Sequence, residues 1–234
     1  MRRVVIFLII SALVISVSVY ISGTIKSVFP IKHFIFSGNK HLTDDELKIL
    51  AGLYGGEGLI TISSKEVSQR LLKSPWIRSV SLRKEFPETL SVVIEEAVPL
   101  ALLDMNGHLF LIDDNGKLLE ELKDGSVPFI PIITGNPFKE REAFSEALNL
   151  VNVMKSKGLS SGKDHIEVIA QRPQELAVNI DGIIVKIGTG GYQEKLERLI
   201  ELEDEIKRRN IAVDYIDLRF TNKVILKPIR EVVK

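Results

Sequence analysis

The sequence predicts an α+β chain with a single N-terminal transmembrane helix, a βααββ domain, and then a mixed α/β domain with an extended β-sheet. Three observations predict it. Val4 to Ile25 carries no charged side chain. The pairs Thr43/Glu46 and Ser63/Glu66 repeat one helix-start device between strand-like runs. After Val98, apolar runs alternate with Asn-Gly and Asp-Gly turns and are interrupted by two amphipathic helical stretches. The expected boundaries are a cytoplasmic tail at 1–3, a transmembrane helix at 4–25, a juxtamembrane link at 26–30, domains at 31–99 and 100–228, and a tail at 229–234.

The uncharged stretch would span about 33 Å as a helix, against a hydrocarbon core of about 30 Å. Arg2 and Arg3 precede it, so the positive-inside rule puts the N-terminus in the cytoplasm and the remainder outside. A cleavable signal peptide is the rival, with Ser16-Val17-Ser18 as small residues near a cleavage point. The apolar run continues beyond them to Ile25, longer than a signal core of about 7–15 residues, which favours an uncleaved anchor.

Ile31 to Phe36 is rich in aromatic and β-branched residues and ends at Ser37-Gly38-Asn39, a strand followed by a turn. Thr43 and Glu46 form a capping box flanked by the staple residues Leu42 and Leu47, and Gly52 ends that helix. Ser63 and Glu66 are expected to form a second box, with Ile62 and Val67 as staple, for a helix reaching about Lys73 before Ser74-Pro75. Ile77–Phe86 and Leu90–Glu95 alternate around Pro87-Glu88-Thr89 as a hairpin.

The second domain reads as a meander. Leu100–Leu103 and His108–Ile112 flank Asn106-Gly107, Lys117–Leu119 follows Asp113-Asp114-Asn115-Gly116, and Pro131 would confine a strand at Phe129–Ile133 to an edge or bulge. Glu140–Lys157 has Phe144, Ala147, Leu148, Val151 and Met154 at helical spacing, with Gly158 as stop. Ile166–Ala170 is a further strand, and Leu176–Ile180 and Ile183–Ile187 pair around Asp181-Gly182. Tyr192–Arg209 is a second helix, whose pairs Glu194–Arg198, Glu203–Lys207, Asp204–Arg208 and Glu205–Arg209 suit a solvated outer face. Tyr215–Phe220 and Val224–Lys227 close the chain around a turn at Thr221-Asn222-Lys223.

Chemistry finds no support. Zero net charge offers nothing to a polyanion, so no nucleic-acid partner is expected. The absence of Cys removes disulfides, thiolate metal sites and thiol nucleophiles. His33, His41, His108 and His165 are scattered without metal-site spacing and read as surface or turn residues. Asp113-Asp114-Asn115-Gly116 lacks the alternating ligands and distal Glu of a calcium loop. Gly188-Thr189-Gly190-Gly191 is neither a P-loop nor a dinucleotide fingerprint, and reads as a strand-to-helix turn. Glu95 and Glu96 fall on opposite faces of a strand. No catalytic residue, metal ligand, cofactor or small-molecule substrate is expected, which leaves binding. The last strand, Val224 to Leu226, is either a core strand, an edge guarded by Lys223 and Lys227, or an edge open to a partner strand.

Three segments carry a resemblance: Ile35–Leu42, Leu72–Ile77 and Ile94–Pro99. In their βααββ order they resemble a POTRA domain, specifically that of the FtsQ/DivIB cell-division family. Tyr215–Phe220 resembles the C-terminal signature of that family's extracytoplasmic domain. The resemblance implies a non-enzymatic, single-pass scaffold of the bacterial divisome in the cytoplasmic membrane at the septum. Its implied partners are FtsB (DivIC-like) and FtsL, bound by β-strand addition, with other division proteins recruited through the POTRA domain. Carried over by position, the implied contacts are Arg219, Phe220, Asn222, Val224, Ile225 and Leu226. Phe220 stands where relatives often carry Tyr, so the aromatic ring is kept without a hydroxyl. Two other classes are weaker. A POTRA component of outer-membrane assembly would join a β-barrel, and no barrel follows; a membrane-tethered wall enzyme would need the missing catalytic constellation.

Overall fold

The computed structural model describes residues 10–19, 29–123, 128–221 and 223–229. Residues 10–19 form a helix, α1, whose apolar Leu13, Val14, Ile15 and Val19 are exposed. Most of the expected 4–25 span lies outside the described residues, and among the described residues no helix is long and apolar enough to cross a membrane. The chain divides into two compact units, Met1–Ala97 and Val98–Lys234.

The first unit contains β1 (His33–Ser37), α2 (Asp44–Ala51), α3 (Ser64–Leu71), β2 (Ile77–Glu85) and β3 (Thr89–Glu96). Its sheet order is β1-β3-β2, with β1 parallel and β2 antiparallel to β3. β1 starts two residues later than expected because the Ile31 N–H is taken by the Glu57 carbonyl. The Thr43 capping box is complete, and Gly52 ends α2 in the left-handed region. At α3 only half of the expected box forms. Ser63 accepts from the Glu66 N–H, while the Glu66 carboxylate instead approaches Arg70 at 3.7 Å. α3 also ends before Lys73, since Pro75 holds Ser74 away from helical geometry and Ser74 N–H closes back on Leu71. Leu47, Ala51, Val67 and Leu71 from the helices meet Leu90, Val92 and Ile94 of β3 in one core.

The second unit is a nine-stranded sheet under two helices. Its elements are β4 (Ala101–Met105), β5 (His108–Ile112), β6 (Leu118–Glu121), β7 (Ile132–Thr134), α4 (Arg141–Ser156), β8 (Ile166–Ile169), β9 (Ala177–Ile180), β10 (Ile183–Lys186), α5 (Tyr192–Arg209), β11 (Val213–Asp217) and β12 (Ile225–Pro228). The order is β12-β11-β10-β9-β8-β7-β4-β5-β6. The expected meander therefore gives way to a sheet with two parallel crossovers, β7-α4-β8 and β10-α5-β11. Both step in the same direction from strands of the same polarity, so right-handed crossovers put both helices on one face. The core agrees, for it joins Ala147, Leu150, Val151 and Met154 of α4 to Leu196 and Leu199 of α5 above Leu103, Ile133, Val168, Val178, Val185 and Ile216. β7 is interior rather than edge: it begins just past Pro131, whose carbonyl accepts from Leu102 N–H at 2.9 Å. Asn106-Gly107 and Asp181-Gly182 turn their hairpins with positive φ at both residues of each pair, as expected for these dipeptides.

Candidate functional site at the C-terminal sheet edge

β12 is the outer strand of the large sheet. Its orientation follows from β11. The Leu218 N–H donates to the Lys186 carbonyl on the β10 side at 2.8 Å. By alternation, Tyr215 and Asp217 direct their backbone groups to β12, so the pairs Tyr215↔Lys227 and Asp217↔Ile225 are hydrogen-bonded. The Ile229 N–H continues the ladder to the Ala212 carbonyl at 2.8 Å. The N–H and C=O of Leu226 and the C=O of Pro228 consequently point away from the sheet. Pro228 has no N–H, so the outward row loses its next donor there.

Side chains divide the same strand by face. Val224 and Leu226 are partly buried against the core, whereas Ile225 is exposed on the opposite face. Tyr215 lies beside Lys227 there, with Lys186 Nζ 4.5 Å and Lys227 Nζ 5.5 Å from its ring centre. Lys227 also pairs with Asp214 at 2.6 Å. A groove lined by Asp214, Tyr215, Ile225, Leu226, Lys227, Pro228 and Ile229 runs along this edge.

The turn leading into β12 is held from within. Arg219 embraces the buried Asp217 carboxylate through Nε at 3.0 Å and Nη2 at 2.6 Å. The guanidinium beside Asp217, with help from the Arg219 N–H, holds that carboxyl below the usual carboxylate range despite burial. Asp217 in turn raises Arg219. Arg198 of α5 donates to the carbonyls of Phe220 at 3.2 Å and Thr221 at 2.9 Å. Lys223 Nζ sits 4.7 Å from the Phe220 ring centre, leaving that ring half-exposed.

The sequence-derived residues thus occupy two settings. Ile225 and Leu226 lie on the outer strand, Val224 at its approach, and Arg219 and Phe220 in the turn region before it. Asn222 lies outside the described residues. Asp217, Arg198, Tyr215 and Pro228 belong to the same neighbourhood; the sequence points to none of them as a contact and to Arg198 only as a helix pair of Glu194. Only Asp217 and Tyr215, inside the Tyr215–Phe220 segment, carried any signal. Among the described residues no group of three or more acidic, His or Cys side chains is placed to hold a metal.

Comparison with known proteins agrees with this architecture. The description "POTRA domain, FtsQ-type" matches residues 29–97, and "Cell division protein FtsQ/DivIB, C-terminal" matches residues 101–219. The second match ends at Arg219, so β12 lies beyond it. The cell division protein FtsQ of Geobacter sp. (strain M21) is 34% identical over 200 residues, covering 81% of this chain and 73% of its own. That of Geotalea daltonii is 30% identical over 219 residues, covering 89% and 78% respectively. A solved extracytoplasmic domain of the cell division protein DivIB from Geobacillus stearothermophilus is 22% identical and covers 49% of this chain and 97% of its own, but its TM-score of 0.36 is too low to bear on the fold. Both family descriptions, in the order of the two structural units, and relatives aligned over most of their length show that the chain belongs to the FtsQ/DivIB family of cell division proteins.

Proposed function

We propose that the protein is a non-enzymatic scaffold of the divisome, anchored by residues 4–25 and carrying domains 31–99 and 100–228 outside the cytoplasmic membrane. It links early division proteins to an FtsB/DivIC-like and FtsL-like pair, and so to septal wall synthesis. The membrane reading is supported by the uncharged stretch and by the exposed apolar side chains of α1. The partner reading is carried by one observation: β12 is an outer strand whose Leu226 backbone faces outward. A partner strand added there gains backbone hydrogen bonds, with Phe220 and Ile225 as exposed apolar contacts. In this reading Arg219 shapes the turn through Asp217 as well as lying near the partner.

The register selects the test. Ile225→Pro removes a donor that faces β11 and damages the fold itself. Leu226→Pro leaves the bonds to β11 in place and removes an outward donor together with the partly buried Leu226 side chain. The full chain in nanodiscs, titrated with the extracytoplasmic segment of its own FtsB-like protein, should bind. Leu226→Pro should weaken that binding about tenfold relative to Leu226→Ala, which loses the same packing but keeps the donor, the equivalent of one hydrogen bond. Equal affinity in Leu226→Pro and Leu226→Ala would remove strand addition at β12. Absence of binding by the wild-type chain would remove the partner assignment.

A further inference from the structure

One end of the first unit gathers three segments: the entry at Phe29–Ile31, the α2–α3 loop, and the β2–β3 turn. Leu59 N–H donates to the Phe29 carbonyl at 2.8 Å, Ile31 N–H to Glu57 at 2.9 Å, and Lys32 N–H to Glu88 at 2.9 Å. Lys84 Nζ reaches the carbonyls of Ile60 at 3.2 Å and Ile62 at 2.7 Å. Phe86 meets Phe29 edge-on with ring centres 5.6 Å apart. The segments are therefore well tied, yet they leave large apolar surface in solvent: Phe86 is 63% exposed, Ile60 45% and Tyr54 82%. The internal core, built on Leu47, Leu71 and Leu90, does not use these side chains.

This is also the end at which the chain arrives from its uncharged stretch. Phe29 is the fourth residue after Ile25. Four residues reach at most about 14 Å when extended, and the headgroup layer on each side of a bilayer is about 5–8 Å thick. If residues 4–25 span the membrane, this end cannot stand far from the lipid interface. Loop-borne Phe, Tyr and Ile at that depth match the amphipathic setting of interfacial aromatic anchors.

We propose that Tyr54, Ile60 and Phe86, with the Phe86 ring braced by the core-packed Phe29, form a membrane-docking surface that seats the first unit in the headgroup region of the bilayer the chain crosses. The inference rests on the reading of residues 4–25 as a transmembrane segment. Its chemistry is apolar insertion rather than attraction to anionic lipid. Lys32 is paired with Glu88 at 2.6 Å, Lys84 is spent on carbonyls, and Glu57 and Glu85 lie nearby. Zwitterionic phosphatidylcholine is therefore sufficient as the occupant.

The absence of Cys makes every introduced thiol a unique labelling site. The full chain, reconstituted in phosphatidylcholine nanodiscs, would carry a nitroxide at Phe86→Cys, Ile60→Cys, Lys40→Cys or Leu13→Cys, with depth read from oxygen against aqueous nickel-complex accessibility. Lys40 follows the far end of β1 and is exposed. The expected order is Leu13 deep in hydrocarbon, Phe86 and Ile60 at headgroup depth, and Lys40 fully aqueous. Phe86→Ser should move the Ile60 label toward water. Labels at Phe86 and Ile60 as aqueous as Lys40, with Leu13 still deep, would overturn docking while leaving the transmembrane reading standing. An aqueous Leu13 would overturn both.

Discussion

Two buried charges show how single residues shape the region before β12. Asp217 is 4% exposed, and its carboxylate is held ionised chiefly by Arg219. Asp217→Asn should cost about 1–3 kcal/mol at neutral pH by weakening a charged hydrogen-bonded pair. Because the folded Asp217 value lies below the unfolded one, that contribution is complete above about pH 4 and disappears as pH falls through the folded value. The gap between wild type and Asp217→Asn in urea unfolding should close over that acid range, and a gap independent of pH would show that the ion pair is not its source. Lys195 is the other case. Burial pulls its pKa down, yet its Nζ donates to the carbonyls of Ile187 at 2.8 Å and Thr189 at 2.9 Å. It thereby pins the glycine turn Gly188–Gly191 ahead of α5. Lys195→Met keeps the apolar stem and abandons both carbonyls, so it should destabilise by about 1–3 kcal/mol in chemical denaturation. Sequence spacing placed Lys195 in α5 but could not mark it as buried, because the two acceptors lie on the preceding strand end and turn.

Among the elements, the loop after β1 is held by the end of β3. The Glu96 carboxylate accepts the N–H groups of Lys40 at 2.9 Å, His41 at 2.7 Å and Leu42 at 2.9 Å. Partial burial works against its ionisation, but these three donors prevail and hold its pKa down. Glu96→Ala should speed hydrogen exchange at Lys40, His41 and Leu42 and lower stability by about 1–3 kcal/mol, with β2 amides unaffected. This clasp joins two of the segments that carried the family resemblance, Ile35–Leu42 and Ile94–Pro99, and gives their co-occurrence a physical cause. α5 corrects a different expectation. Glu205 does pair with Arg209 at 2.5 Å. Glu203, however, turns to Lys163 at 2.8 Å, Arg198 to the β12 turn, and Glu197 to Lys157 of the α4 cap at 2.6 Å. The charge run is thus partly tertiary wiring rather than a purely solvated face. Gly116 marks another constraint. At φ +76 its missing Cβ would lie 2.7 Å from Leu148 and 2.9 Å from Phe144 of α4. Gly116→Ala should therefore destabilise by more than about 1 kcal/mol in thermal unfolding, through both backbone strain and overpacking.

At the scale of the molecule, the two units keep separate cores, one built around Leu47, Leu71 and Leu90, the other around Leu103, Leu150 and Ile216. Leu150→Ala removes a fully buried side chain and should cost about 2–5 kcal/mol. Native-state hydrogen exchange should register that loss in β4 and β7–β11 and leave β1–β3 protected as before; Leu71→Ala should do the reverse. The large sheet also ends in two different edges. β6 carries Glu120 and Glu121, acidic residues of the kind that discourage pairing. β12 presents the backbone N–H and C=O of Leu226 outward, next to Lys227 and limited by Pro228.

What the sequence determined by itself was local or repetitive. Thr43 and Glu46 are three residues apart, Asn106-Gly107 sits at a hairpin tip, and Phe144 to Met154 repeats at helical spacing, so each element follows from short-range sterics and periodicity. The family motifs were legible for the same reason, as contiguous strings. Tertiary structure decided the rest. The place of β7 beside β4, the turning of Glu203 to Lys163, and the clasp of Glu96 on the β1–α2 loop join groups far apart in the chain, which no local pattern encodes. The same is true of β12. Its apolar character was visible in Val224 to Leu226, but whether Ile225 or Leu226 offers its backbone outward depends on the register with β11. Shifting that register by one residue would exchange the two, because backbone polarity alternates along a strand.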